Sequence, residues 1–180
     1  MTLINPNDIH AVMLAAGMGK RLSEGNEDFP PKCLLKFHGK SLLQRHFEAL
    51  VKVGIKSLTI VVGFKSNKIL QEIKDIQANI FVNFIDNDRF DRGSIVSLWC
   101  AREKLRSGYQ VLFMDADVLY HASLIKKLTI KSVHSIIPYD REFEAGDEPV
   151  KLCLSNEKPV EFSKIVGCMY DQIGEWPGFM

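Results

Sequence analysis

The sequence has little of what marks several large protein classes. Cysteine is sparse: Cys33, Cys100, Cys153 and Cys168 stand 67, 53 and 15 residues apart, with no CxxC pair. That spacing excludes the usual zinc and dithiol redox patterns and reads as reduced thiols in a cytoplasmic protein. The longest apolar runs, such as Ser57–Gly63 and Gln110–Met114, fall far short of the ~20 residues a membrane span needs. The opening MTLINPNDIH has neither the basic n-region nor the apolar h-region of a signal peptide. Charge of one sign is missing too: 23 basic against 22 acidic side chains leave a net charge of +1. No bulk field is therefore available to hold nucleic acid or an anionic membrane. Any anion this chain binds must be met by a local cluster of cations. Repeats, low-complexity stretches and linker-like runs are absent.

What remains is globular. With 46% hydrophobic and 25% charged residues over 180 positions, the chain suits one domain and is neither disordered nor fibrous. Ile9–Leu14 reads as a strand running into a glycine loop. Ser41 is placed to cap a helix whose apolar residues Leu42, Leu43, His46, Phe47, Leu50 and Val51 share one face, with Gly54 just past its end. Ser57–Val62 reads as a buried strand, Ser66–Ile76 as a helix and Ile80–Ile85 as a strand. Ser94–Leu105 reads as a helix capped by Ser94, Gln110–Met114 as a buried strand, and Ala122–Lys131 as a helix. Beyond this, Ser135–Pro138, Val150–Ser155 and Val160–Lys164 look strand-like with no helices between them. Alternating strands and helices over the first ~130 residues predict a parallel sheet with right-handed crossovers and helices on both faces. The β-rich tail adds antiparallel or mixed strands.

The segment Leu14-Ala15-Ala16-Gly17-Met18-Gly19-Lys20-Arg21-Leu22 follows the first strand, where open α/β sheets bind ligands. It is not GxGxxG, because Leu22 stands where the third glycine would be. It is not a Walker A loop, because Leu14 and Arg21 replace the required glycine and Ser/Thr. It is a loop of small residues whose amides can approach phosphates, followed by two cations. Pro30-Pro31 then places Lys32 on a rigid, extended stretch, better organised than an ordinary surface lysine.

These stretches resemble the nucleotidyltransferases of the sugar-phosphate and phosphocholine type. The pattern LAAGxGxRL, PKxLL and GKxLLxRxxExL matches residues 14–22, 31–35 and 39–50. Asn87-Asp88-Arg89-Phe90 and Gly93-Ser94-Ile95-Val96-Ser97-Leu98 resemble the stretch lining the family's base pocket. Phe113-Met114-Asp115-Ala116-Asp117 resembles its strand ending in D-x-D. Within the superfamily the sequence looks most like the small cytidylyltransferases that activate phosphocholine, inositol phosphate or 2-aminoethylphosphonate. Ala145-Gly146-Asp147-Glu148, Phe162-Ser163-Lys164, Gly174-Glu175 and Gly178-Phe179 resemble the acceptor half of the aminoethylphosphonate branch. The resemblance implies a Rossmann-like, glycosyltransferase-A-like α/β fold in a single domain spanning 1–180. Residues 1–131 would form the nucleotide-binding half and 132–180 a β-rich acceptor half, either truncated or lacking the family's last metal carboxylate. Asp171 and Glu175 are the nearest stand-ins for that carboxylate.

The implied reaction joins CTP to a phosphate or phosphonate monoester and releases pyrophosphate with Mg²⁺. A phosphomonoester is already anionic at pH 7, its second pKa lying near ~6, so no general base is expected. The resemblance implies nucleotide contacts from Leu14, Ala15, Ala16, Gly17, Gly19, Asn87, Ser94 and Asp115. Arg21 would meet the β/γ-phosphates, Lys32 the α-phosphate or acceptor, and Lys164 the acceptor side. Asp117 with Asp115 would hold Mg²⁺. CTP and a small acceptor are the expected partners, with no nucleic acid and no membrane, and a homo-oligomer is left open. Cys33 beside Lys32 suggests a low-pKa thiol without other support for nucleophilic use. None of the five histidines has ligand spacing, and His46 falls on an apolar helix face. Trp99 reads as core packing, and Trp176 as packing or pocket lining. Three alternatives stand beside this reading: a sugar-1-phosphate or molybdopterin-type nucleotidyltransferase, a nucleotide-binding module without turnover, and a metal-dependent glycosyltransferase, against which LAAGxGxR and PKxLL argue.

Overall fold

The computed structural model describes residues 9–23, 25–26, 28–130, 134–144 and 146–180. The N-terminal run up to Asp8, the expected helix end at Lys131 and Ala145 of the tail motif lie outside the described residues. The chain divides into two compact units, Met1–Val133 and His134–Met180.

The first unit is built on four parallel strands: β1 (Ile9–Leu14), β4 (Ser57–Val62), β5 (Phe81–Asp86) and β6 (Gln110–Asp115), in the order β5-β4-β1-β6. Leu58, Ile60, Val61 and Val62 of β4 and Ala11, Val12 and Met13 of β1 are buried, as continuous apolar strands in the middle of a parallel sheet must be. Between β1 and β4 lie a short helix α1 (Lys20–Ser23), a two-residue hairpin of β2 (Lys36–Phe37) and β3 (Lys40–Ser41), and α2 (Leu42–Lys52). The Ser41 hydroxyl accepts the Gln44 amide at 3.0 Å, the expected N-cap, and donates to Glu72 of α3 (Ser66–Ile76) at 2.5 Å. The α2 face carrying Leu42, Leu43, His46, Phe47 and Leu50 is buried.

From β1 the chain moves outward one way to β4 and β5, then returns to the other side of β1 as β6. Strand order therefore reverses between β1 and β6, and ligands of open α/β sheets gather outside the strand C-termini at such a point. Register sharpens this, because Leu14 at the end of β1 lies opposite Asp115 at the end of β6.

Several expectations need correction. The Ser94–Leu105 helix is broken into α4 (Ser94–Cys100) and α5 (Arg102–Leu105), because the Ala101 amide turns back onto the Leu98 and Trp99 carbonyls. Ser94 is the first helical residue and not the cap, a place held by Gly93 at φ 98°. Trp99 is 63% exposed, its ring covered by the Arg102 guanidinium at 5.1 Å, so it is not core. After β6, α6 runs only over Ser123–Leu128.

The second unit is an antiparallel sheet in the order β8-β7-β9, from β7 (Lys151–Ser155), β8 (Lys158–Ser163) and β9 (Gln172–Glu175). Asn156 and Glu157 at φ 49° and 63° form the tight β7–β8 turn, and Asp171 accepts the Asn156 amide at 2.7 Å. Ser135–Pro138 is not a strand; just beyond it Asp140 makes an isolated bridge to Glu175. Leu152, Cys153 and Phe179 are buried. Among the described residues no helix is long and apolar enough to cross a membrane.

Candidate active site

A cleft of about 370 Å³ opens at the β1/β6 switch point, within the size range of small-molecule sites. One wall is the glycine loop, Leu14–Lys20. Its start is tied to both neighbouring strands: Ala15 donates to the Val61 carbonyl at 2.8 Å and Ala116 to the Leu14 carbonyl at 3.0 Å. Space beside Gly17 is open, so its backbone is bare to the cleft. Gly19 has φ 65°, and a Cβ there would meet Lys32 Cγ at 2.8 Å. The glycine lets the loop turn and lets the Lys32 stem lie across it.

Lys32 opens a 3-10 turn, Lys32–Leu34, fixed by the Leu34 amide on the Pro31 carbonyl at 2.8 Å. Its ammonium donates to Asp117, in an ion pair whose side chains are 30% and 31% exposed. Asp115 is half-buried beside it. Burial, followed by the neighbouring Asp117 charge, pushes its carboxyl up to about 7, against the opposing pull of Lys32. Burial also drives the Cys33 thiol up to about 12, with Asp117 adding to the rise and Lys32 pulling only weakly the other way. Cys33 is therefore not the low-pKa thiol that its neighbour suggested.

The opposite wall is Phe90, Asp91, Gly93, Ser94 and Ser97. Asn87 does not line the cleft. It is buried behind that wall, donating to Ser97 Oγ at 3.0 Å and accepting the Arg89 amide at 3.0 Å. Phe90 is held close to Gly63, where a Cβ would come within 2.7 Å of Phe90 Cβ. Gly63→Ala is thus expected to displace Phe90, destabilise the chain by about 1–3 kcal/mol and weaken nucleotide binding; a denaturant melt with a nucleotide titration checks both.

Of the expected residues, Leu14, Ala15, Ala16, Gly17, Gly19, Lys32, Ser94, Asp115 and Asp117 meet in this cleft. Lys20 lines it as well, while Arg21, exposed on α1, is not part of the lining. The sequence reading missed Asp91, an acidic side chain on the wall. Lys164 lies in the second unit, where it donates to Glu148 at 3.1 Å. Trp176 packs edge-on against Phe162 with centroids 5.3 Å apart and donates to the Phe179 carbonyl at 2.6 Å.

A divalent cation is implied by the D-x-D pattern. No group of three or more His, Cys, Asp or Glu able to hold a metal occurs among the described residues. The chain offers two hard carboxylates, Asp115 raised by burial first and by the Asp117 charge second, with an ammonium already seated on Asp117. That donor set fits Mg²⁺, which takes one or two carboxylates and completes its shell with water and substrate phosphates.

Comparison with known proteins decides the family. Residues 11–145 match the MobA-like NTP transferase domain. The chain belongs to that family. Its relatives include CTP:phosphoglutamine cytidylyltransferase of Campylobacter jejuni, 25% identical over 125 residues covering 67% of this chain and 48% of the relative. Choline-phosphate cytidylyltransferase of Streptococcus pneumoniae is 31% identical over 108 residues, 59% of this chain and 44% of the relative. The chain spans about half the length of these curated relatives. Among solved structures, the inositol-1-phosphate CTP transferase from T. maritima superposes with a TM-score of 0.72 at 20% identity, over 94% of this chain and 69% of that one. The family fold, a mostly parallel Rossmann-like sheet with helices and C-terminal antiparallel strands, is the one described above.

Proposed function

We propose that this MobA-like family member transfers CMP from CTP to a small phosphate or phosphonate monoester, releasing pyrophosphate with Mg²⁺. The observation that carries the reading is the meeting of Lys32, Asp115 and Asp117 in the glycine-loop cleft. The names of the cytidylyltransferases among its relatives support the nucleotide and the acceptor class.

In this reading the acceptor oxygen attacks the α-phosphorus, a new P–O bond forms, and the bond to the β-phosphate bridging oxygen breaks. The acceptor arrives anionic, so the task is to bring two anions together and to stabilise charge on the leaving pyrophosphate. Bare amides of Gly17–Gly19 face the phosphates, Lys20 adds charge at the cleft wall, and Arg21 reaches the β/γ-phosphates from α1. Lys32, its stem braced on Gly19, places an ammonium between the α-phosphate and the acceptor. Mg²⁺ on Asp115 and Asp117 would neutralise phosphate oxygens and polarise the α-phosphorus. Ser94 and Ser97 offer hydroxyls at the base end, with Asn87 holding Ser97 in place. Lys164 is proposed as an acceptor contact.

Pyrophosphate release from CTP with phosphocholine, 2-aminoethylphosphonate and inositol phosphate, with and without EDTA, tests the reading. Faster release from UTP, GTP or dTTP would sink the choice of nucleotide and favour the sugar-1-phosphate reading. A uridylyltransferase of Haloferax volcanii, 30% identical over 116 residues that cover 64% of this chain and 46% of the relative, keeps that reading in view. Tight CTP binding without release would leave a binding module.

A further inference from the structure

His46 is fully buried on α2, on the face that periodicity assigns to leucine-like residues. Burying an imaginable leucine there would cost nothing polar, whereas an imidazole must find partners or lose stability. Two partners lie on the loop carrying the carboxylate pair. Its Nε2 is 3.1 Å from the Ala116 carbonyl and its Nδ1 is 3.1 Å from the Tyr120 hydroxyl. A carbonyl only accepts, so Nε2 carries the proton and Nδ1 accepts from the tyrosine. Ala116 sits between Asp115 and Asp117, and its amide is held by the Leu14 carbonyl at 3.0 Å. The peptide units between the two aspartates are therefore tied to β1 at one point and to α2 at another, and the far end of the loop is held through Tyr120, whose ring lies 5.2 Å from the imidazole.

From this geometry we infer that His46 is a positioning residue for the Asp115–Asp117 pair, fixing the direction of both carboxylates toward the cation and the phosphates. The inference rests on the proposed use of those carboxylates, but not on the nucleotide or acceptor chosen. Ring, loop and carboxylates act in series: losing the Nε2–H bond frees the Ala116 carbonyl, and the loop then samples directions in which the two carboxylates no longer converge.

The test uses the full chain and Mn²⁺ alone, read by electron paramagnetic resonance without nucleotide, beside thermal melting and CTP kinetics. His46→Leu removes both hydrogen bonds. His46→Gln keeps an N–H where Nε2 was. His46→Leu is expected to weaken Mn²⁺ binding and lower kcat by about 10–100-fold while KM for CTP stays within about threefold, since the glycine loop is untouched. His46→Gln should recover most of both. Unchanged Mn²⁺ affinity in a folded His46→Leu chain would overturn the inference, as would a His46→Gln chain no better than His46→Leu. If His46→Leu does not fold, Tyr120→Phe decides: weaker Mn²⁺ binding at a kept melting temperature supports the role, and unchanged binding overturns it. A parent chain that binds Mn²⁺ but releases no pyrophosphate sinks the proposed activity and leaves this series to be read. A parent chain that binds no Mn²⁺ sinks the positioning role.

Discussion

Replacing Lys32 by alanine, or Asp117 by asparagine, is expected to lower kcat/KM for pyrophosphate release by about 10²–10³-fold, the cost of losing one preorganised charge at a reacting centre. Melting temperature should move by a few degrees at most, because the pair is partly exposed and such pairs contribute little to stability. The two changes separate by mechanism. Lys32→Ala leaves Asp115 and Asp117 facing each other without their ammonium, so Mn²⁺ binding to the free chain should persist or tighten while turnover collapses. Asp117→Asn should lose both. Lys32→Arg keeps the charge but replaces a compact ammonium by a planar fork, on a stem that must still cross Gly19, so partial recovery is expected. Near-normal rates in Lys32→Ala would remove the ammonium from the chemistry and reduce its contact with Asp117 to a surface ion pair.

Much of this site could be read from the chain because its parts are local. The strand β1, the glycine loop and the Pro31–Lys32 step are short-range patterns, and the apolar run of β4 and the Ser41-capped face of α2 follow from periodicity and capping alone. What could not be read depends on contacts between distant residues or on breaks without a chemical marker. The break at Ala101 involves neither glycine nor proline, so the periodic run from Ser94 to Leu105 concealed it. Ile136 and Ile137 look strand-like, yet a strand needs a partner ladder; neither residue is in one, and nearby Asp140 makes no more than an isolated bridge. Asn87 carries the right side chain for base recognition, but the structure spends both ends of its amide on Ser97 and Arg89. His46 lies 70 residues from Ala116 and 74 from Tyr120. A helical wheel shows it as one more position on the apolar face and says nothing of what that face meets.

The same pocket of buried charge makes a prediction about acid stability in the metal-free chain. Asp115 has its folded pKa raised from 3.8 to about 7, so its contribution is fully present below about pH 4 and is lost as pH rises toward 7. His46 has its folded pKa lowered, by burial, from 6.5 to about 4. Its contribution is present above about 6.5 and is lost as pH falls toward 4, because the unfolded chain takes up the proton first. For the fully buried imidazole that loss amounts to roughly 3 kcal/mol. Between pH 4 and 7 the two groups push stability in opposite directions, and the parent chain should be comparatively flat there. Asp115→Asn removes one of them. The variant should be the more stable chain at pH 8, where the parent buries a charged carboxylate beside Asp117, and its advantage should shrink steadily toward pH 4. Its own stability should fall steeply on acidification, exposing the imidazole. Adding His46→Gln to Asp115→Asn should flatten the curve again. Urea melts of the three chains in EDTA from pH 4 to 8 check this, and difference curves cancel the titrations all three share. Parallel curves across that range would mean that neither buried group titrates abnormally. A gain at pH 8 with no acid slope would keep the strained carboxylate and reject the neutral, buried imidazole on which the loop is hung.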